Sequence, residues 1–297
     1  MASALIPVFV TILVTAVGLL TVPASHAAEP TQASVESDVP NDPIRGAIWS
    51  MYNLDFEGAL DVVDRHMREN PADPLGYAGR AATLIFAEFE RLQILELDFF
   101  NSDDSLTDKK RLAPDPGTRA RIFTCTAEAR RLAASRLAAH PNDRDALFAL
   151  MMAAGVETQY TTIVEKRYLR GGSLSKEAQE LADRMLTLDP PVYDAYVTLG
   201  SIEYTVANLN PFFRFFAKLR GLRGSKEKAV EHLRIVVENG RYYGPYAKIL
   251  LAVFHVREKH LAEARGLLEE LSREFPANPL FKKEIANIDA KLGPSAR

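Results

Sequence analysis

A chain of 297 residues, 47% hydrophobic and 25% charged, has the length and composition of an ordinary folded protein with a sizeable core. Its formal net charge of −3 offers no global attraction for nucleic acid. The lone cysteine, Cys125, excludes an internal disulfide and any multi-thiolate zinc site.

At the N-terminus, Ala4 to Val22 is an uncharged and mostly apolar run of 19 residues, followed by Pro23 and the small-residue stretch Ala24-Ser25-His26-Ala27. Small residues at Ser25 and Ala27 suit signal-peptidase cleavage after Ala27. The expectation is therefore an exported protein, periplasmic or secreted, with residues 1–27 as its signal. No Lys or Arg precedes the run, and it is long enough to stay as a membrane anchor on the exported side, which is the alternative. Cysteine does not occur near the cleavage site, so a lipid-modified cysteine at the new N-terminus is excluded. Residues 28–42 are rich in Pro, Ser, Asp and Glu without helical period, and read as a flexible linker.

From residue 43 one spacing recurs: Ala, an apolar or small residue four later, and Pro twelve after the Ala. Helix geometry explains it, because residues four apart share a face and Pro stops the helix. It appears as Ala59, Val63, Pro71; Ala129, Ala133, Pro141; Ala178, Ala182, Pro190; and Ala264, Leu268, Pro276. A fifth copy, Ala229 and Leu233, has Arg241 in the proline place. Each copy is preceded by a first helix: 43–53 around Trp49, 74–100, 144–159, 192–207 and the first half of 245–276. Trp49 is expected to pack between the first two helices.

The 245–276 unit is the most regular. Ile249, Leu250, Val253 and Phe254 form an apolar stripe on its first helix, and Leu261, Ala264, Leu267, Leu268 and Leu271 one on its second. Leu251-Ala252, Ala264, Leu268 and Pro276 stand where the tetratricopeptide (TPR) pattern has Leu, a small residue, Ala, a large apolar residue and Pro. Lys248 and His255 replace the usual aromatics. Tyr196, Leu199 and Gly200 fit the same pattern in the fourth unit. The chain resembles exported bacterial tetratricopeptide-repeat proteins over residues 43–292. That resemblance implies an all-α, right-handed superhelical solenoid of antiparallel helix pairs. It also implies a non-enzymatic scaffold that holds a peptide, protein or assembly component in a superhelical groove. The alternatives are a membrane-anchored envelope assembly or transport accessory factor and, further off, an enzyme whose residues converge from separate units. The helix at 278–292, with Lys282, Lys283, Glu284 and Lys291, reads as the polar terminal cap that a solenoid requires, and 293–297 as a tail.

Three units carry expanded turns. Ala252 and Ala264 stand 12 apart, whereas Gly200 and Ala229 stand 29 apart, so the fourth unit has gained 17 residues. Units two and three are expanded through 100–117 and roughly 160–175. Insertions leave a solenoid on one face, often the binding face. In the fourth-unit insertion, PFFRFFAKLRGLRG, a helix aligns Phe212, Phe215, Phe216 and Leu219, with Arg214, Lys218, Arg220 and Arg223 elsewhere. That stripe either closes one end of the core or, with the cations, meets an anionic partner or a membrane. The third-unit insertion carries Tyr160, Glu165, Lys166, Arg167, Tyr168 and Arg170 before Gly171-Gly172, the composition of an interaction hot spot ended by a tight turn. Candidate partner-binding residues are therefore Tyr160, Lys166, Arg167, Tyr168, Arg170, Phe213, Arg214, Lys218 and Arg220. Membrane association would run through residues 4–22 or the Phe212–Arg223 face.

The aspartates of the second-unit loop, Asp103, Asp104, Asp108 and Asp115, lack calcium-loop alternation and its glycine. His255 and His260 are five apart rather than four, and His66, His140 and His232 have no motif around them. Cys125 shares the inward face of Ala129 and Leu132, the position of an inert buried thiol. A catalytic, metal or cofactor constellation is therefore not expected.

Overall fold

The computed structural model describes residues 42–95, 112–188 and 190–292. The expected signal or anchor, the linker, most of the second-unit loop and the tail lie outside the described residues. The helices are α1 Pro43–Tyr52, α2 Phe56–Glu69, α3 Pro74–Arg91, α4 Pro116–Ala139, α5 Arg144–Gln159, α6 Tyr168–Leu186, α7 Tyr196–Asn208, α8 Pro211–Leu219, α9 Lys226–Asn239, α10 Gly244–Arg257, α11 Leu261–Glu274 and α12 Pro279–Leu292. They pair as α1/α2, α3/α4, α5/α6, α7/α9 and α10/α11, with α12 packed on α11. Over the described residues the fold is an all-α solenoid of packed helix pairs.

Every alanine of the five-fold spacing, and every residue four after it, is buried. Small residues set how closely paired helices approach. A Cβ on Gly200 would stand 3.0 Å from the Ala229 carbonyl oxygen and 3.1 Å from Leu233 Cγ, so α7 and α9 cross at that point. Short polar side chains start the helices: Asp42, Asp55, Asp73, Asp115, Asp143, Asn210 and Ser225 each accept from a backbone N–H of the first turn. The exception at Arg241 has a physical cause. Its backbone N–H donates to Asp194 Oδ2 at 2.8 Å, a bond that proline cannot make. The other Asp194 oxygen accepts from Tyr242 N and Tyr243 N at 2.8 and 2.7 Å. One buried carboxylate thus fixes the whole turn into α10.

That turn joins the two ends of the solenoid. Arg241 and the Tyr242 hydroxyl donate to Asp42 Oδ2 at 2.6 and 2.9 Å, across 199 and 200 residues of sequence. Burial alone would raise the Asp42 carboxyl, but hydrogen bonds from Tyr242, the Arg45 backbone and Arg241 hold it below the ordinary aspartate value. Further along α1, the Asn278 amide donates to the Tyr52 carbonyl at 2.8 Å, and the Tyr52 ring lies 5.3 Å from Phe275. Inside the curl, Phe86 of α3 meets Tyr246 of α10, and Phe148 of α5 meets Tyr242 and Tyr243. The first and last turns therefore close on each other, and the face that the resemblance assigns to a ligand groove is packed with aromatics.

Two expectations change here. Trp49 does not pack between the first two helices; it is 46% exposed beside Phe275, because α1 turns its other face to α2 and α3. Glu284 is not on the polar face of the cap. It is buried, with the Asn287 amide donating to it at 3.1 Å, while Lys282 and Lys283 are exposed. Arg144–Val164 is long and apolar enough to cross a membrane by length and composition, yet most of it is buried inside the solenoid.

Candidate functional site

The three expansions each follow the first helix of a pair, and the described parts of the third and fourth turns lie against neighbouring helices. Arg119, at the start of α4, pairs with Glu165 of the third-unit turn at 2.6 Å. A Cβ on Gly221 of the fourth-unit turn would stand 3.6 Å from the Lys176 ammonium of α6.

The third-unit turn is a closely packed corner. A π-helical segment, Tyr160–Val164, continues α5, with the Glu165 N–H bonding back to the Tyr160 carbonyl at 3.0 Å. Tyr160 therefore stays in register with the buried face of α5. Its hydroxyl is pushed up to about 12, chiefly by burial and then by nearby Glu88, so it is a neutral phenol at any ordinary pH. Lys166 is buried too and adopts a left-handed backbone at φ 55°, which lets the chain double back into α6. Of the residues expected to touch a partner here, Tyr160 and Lys166 thus lie beneath the surface and Tyr168 is half-buried. Arg167 and Arg170 are exposed, with Leu169 between them 68% exposed. Gly171 and Gly172 do not end the segment; both lie inside α6. A Cβ on Gly171 would come within 2.1 Å of Thr162 Cγ2, so its lack of a side chain lets α6 press against the π-helical segment.

The fourth-unit insertion is a complete helix, closed at both ends. Asn210 Oδ1 accepts from Phe213 N at 3.1 Å and Pro211 opens the first turn. At the other end Gly221, at φ 80°, lets Leu222 N bond back to the Ala217 carbonyl and Gly221 N to that of Lys218, a Schellman arrangement. Phe213 and Ala217 face inward, onto Val206, Leu209 and Leu222. Arg214 folds back to donate to the Ala207 and Leu209 carbonyls and so caps α7. The remaining apolar residues point outward: Phe212 and Phe215 are 59% exposed, Phe216 46% and Leu219 67%. The stripe does not close the core, because α8 rests on α7 through its narrower face. Phe213, expected at the surface, is half-buried under the helix, whereas Arg214 is exposed as expected but spends its guanidinium on the α7 carbonyls. Lys218, Arg220 and Arg223 are exposed and pair with no carboxylate among the described residues.

A third feature was not signalled by the repeats. Where the solenoid closes, a cleft of about 220 Å³ is lined by Arg45, Trp49, Tyr52, Arg241, Lys248 and Phe275, among others. Its cations are largely occupied: Arg241 binds Asp42, and Lys248 bonds Glu270 and Glu274 at 3.3 and 3.2 Å. The Tyr242-Tyr243-Gly244-Pro245-Tyr246 run, dense in tyrosine just where the spacing loses its proline, was the available sequence signal.

His66 bonds Asp73 at 2.7 Å, and burial lowers His255, whose ring lies 5.8 Å from that of His260. Cys125 is buried and accepts from Arg80 at 3.6 Å. Among the described residues no group of three His, Cys, Asp or Glu is placed to hold a metal ion.

No family model matches the chain, and no curated protein matches it. Among solved structures it is similar to a thermophilic TPR protein of Thermus thermophilus, at 15% identity and a TM-score of 0.44, with 83% of this chain and 96% of that one covered.

Proposed function

We propose that this chain is a non-enzymatic scaffold of the exported compartment that binds a protein or peptide partner at the corner formed by Arg167, Leu169 and Arg170. One observation carries the reading: an exposed leucine between two exposed guanidinium groups stands on a corner whose base, Tyr160, Thr161 and Lys166, is buried. Such a surface is ordered before a partner arrives, so little side-chain and loop entropy is lost on binding. Arg167 keeps only a 3.7 Å contact with Glu165, and Arg170 has no partner among the described residues, so both are open to carboxylates or carbonyls. Export rests on the N-terminal run and its small-residue cleavage site. The aromatic packing at the centre of the curl supports choosing the outer edge.

A photocrosslinking residue at Leu169 in the full chain, expressed in its own cell, tests the reading. A discrete protein adduct is expected, and it disappears when Arg167 and Arg170 are both changed to Glu. Since hot-spot residues each contribute more than about 1 kcal/mol, the double change should weaken binding roughly 100-fold. A small molecule that raises the melting temperature, with no adduct at Leu169, would show that the protein is not a scaffold of this kind.

A further inference from the structure

We propose that α8 is an interfacial helix that seats this protein on an anionic bilayer. This stands apart from the partner-binding corner and does not rest on it. Phe212, Phe215, Phe216 and Leu219 form a convex ridge at positions three and four apart, each 46–67% exposed. The ridge is a built feature of the fold. Asn210 and Gly221 close the helix at its two ends, while Phe213, Ala217 and Leu222 anchor its opposite side. Between Glu203 and Glu227 the sequence has no acidic residue and five basic ones, Arg214, Lys218, Arg220, Arg223 and Lys226. Arg214 and Lys226 are used inside the fold, the latter on Glu258 at 3.0 Å. Lys218, Arg220 and Arg223 remain beside the ridge. Aromatic and leucine side chains on one face of a short helix, flanked by cations alone, are what the boundary between lipid headgroups and acyl chains accepts.

Charge and size separate this occupant from the others. A second copy would set three uncompensated cations against three more, a like-charge juxtaposition that disfavours self-pairing. A nine-residue helix is about 14 Å long, too small by itself for the roughly 1,000 Å² that a specific protein interface buries. A fluid bilayer needs no complementary groove and supplies negative charge at its surface.

The test uses the full chain with the environment-sensitive fluorophore NBD on Cys placed at Leu219 (Leu219→Cys), and a control label at Glu231 on α9. Vesicles are two parts phosphatidylcholine to one part phosphatidylglycerol, or phosphatidylcholine alone. With the anionic vesicles the label at 219 shifts to the blue and the label at 231 does not, whatever residues 4–22 contribute to overall attachment. Changing Lys218, Arg220 and Arg223 together to Gln raises the lipid needed for the shift roughly 100-fold, since each surface cation contributes about 1 kcal/mol at an anionic membrane. Far-UV circular dichroism confirms that the variant keeps its helices. An aqueous emission at 219 under saturating anionic lipid overturns the proposal. So does a blue shift that grows with protein concentration without vesicles, which means self-association. A shift of equal size on phosphatidylcholine alone that ignores the Gln changes overturns it as well.

Discussion

Replacing Asp194 by Ala is expected to cost roughly 3–5 kcal/mol, a large part of the 5–15 kcal/mol that holds an ordinary domain folded. The carboxylate is 2% exposed and accepts three consecutive backbone N–H groups, those of Arg241, Tyr242 and Tyr243. Alanine leaves these donors with no partner and little water, and an unsatisfied buried donor costs about 1–3 kcal/mol. The loss also reaches α1, because the same turn presents Arg241 and Tyr242 to Asp42. Asp194→Asn keeps one acceptor oxygen and sets an amide N–H₂ against the Arg241 N–H, so an intermediate loss follows. Urea unfolding monitored by circular dichroism gives the number. A cost below about 1 kcal/mol for Asp194→Ala would mean that the turn is held by other contacts.

Phe275→Ala is expected to cost about 3–5 kcal/mol, the usual penalty for emptying a buried aromatic site. Phe275 is 1% exposed and touches Trp49 and Tyr52 of α1 and Phe281 of α12. The position of the damage is as informative as its size. Hydrogen exchange should quicken in α1 while α5 and α6, which are tied to α4 through Arg130 and its partners Glu157 and Glu177, keep their protection. Equal protection of α1 in wild type and variant would show that the two ends of the solenoid are stable without each other.

The sequence and the structure agree wherever a rule is local. The Ala, +4, Pro spacing marks the buried contacts of five helix pairs because it reports which face of a helix is inward. Its one failure, Arg241, marks a turn that needs an N–H. Periodicity could not say which way the α8 stripe points. Phe212, Phe215, Phe216 and Leu219 repeat like core residues, yet Phe213 and Ala217 are the pair that packs. The third-unit turn was misleading in the opposite sense, for Tyr160 and Lys166 have the composition of a surface and lie inside. A π-helical segment and a left-handed lysine produce that outcome, and neither has a sequence signature as plain as a cap. The closure of the curl was illegible for a different reason. It depends on the rotation accumulated over successive pairs, and no single repeat encodes that sum.

This closure underlies both proposals, since a filled centre leaves the outer edge and α8 as the surfaces proposed for binding. The distance between Glu57 on α2 and Lys282 on α12, measured by pulsed electron paramagnetic resonance between nitroxide labels on cysteines at those two exposed positions, tests it most directly. One narrow distance distribution is predicted, and Phe275→Ala should broaden it. A broad distribution reaching to long distances in the otherwise unaltered protein would describe an open superhelix, and would contradict the account.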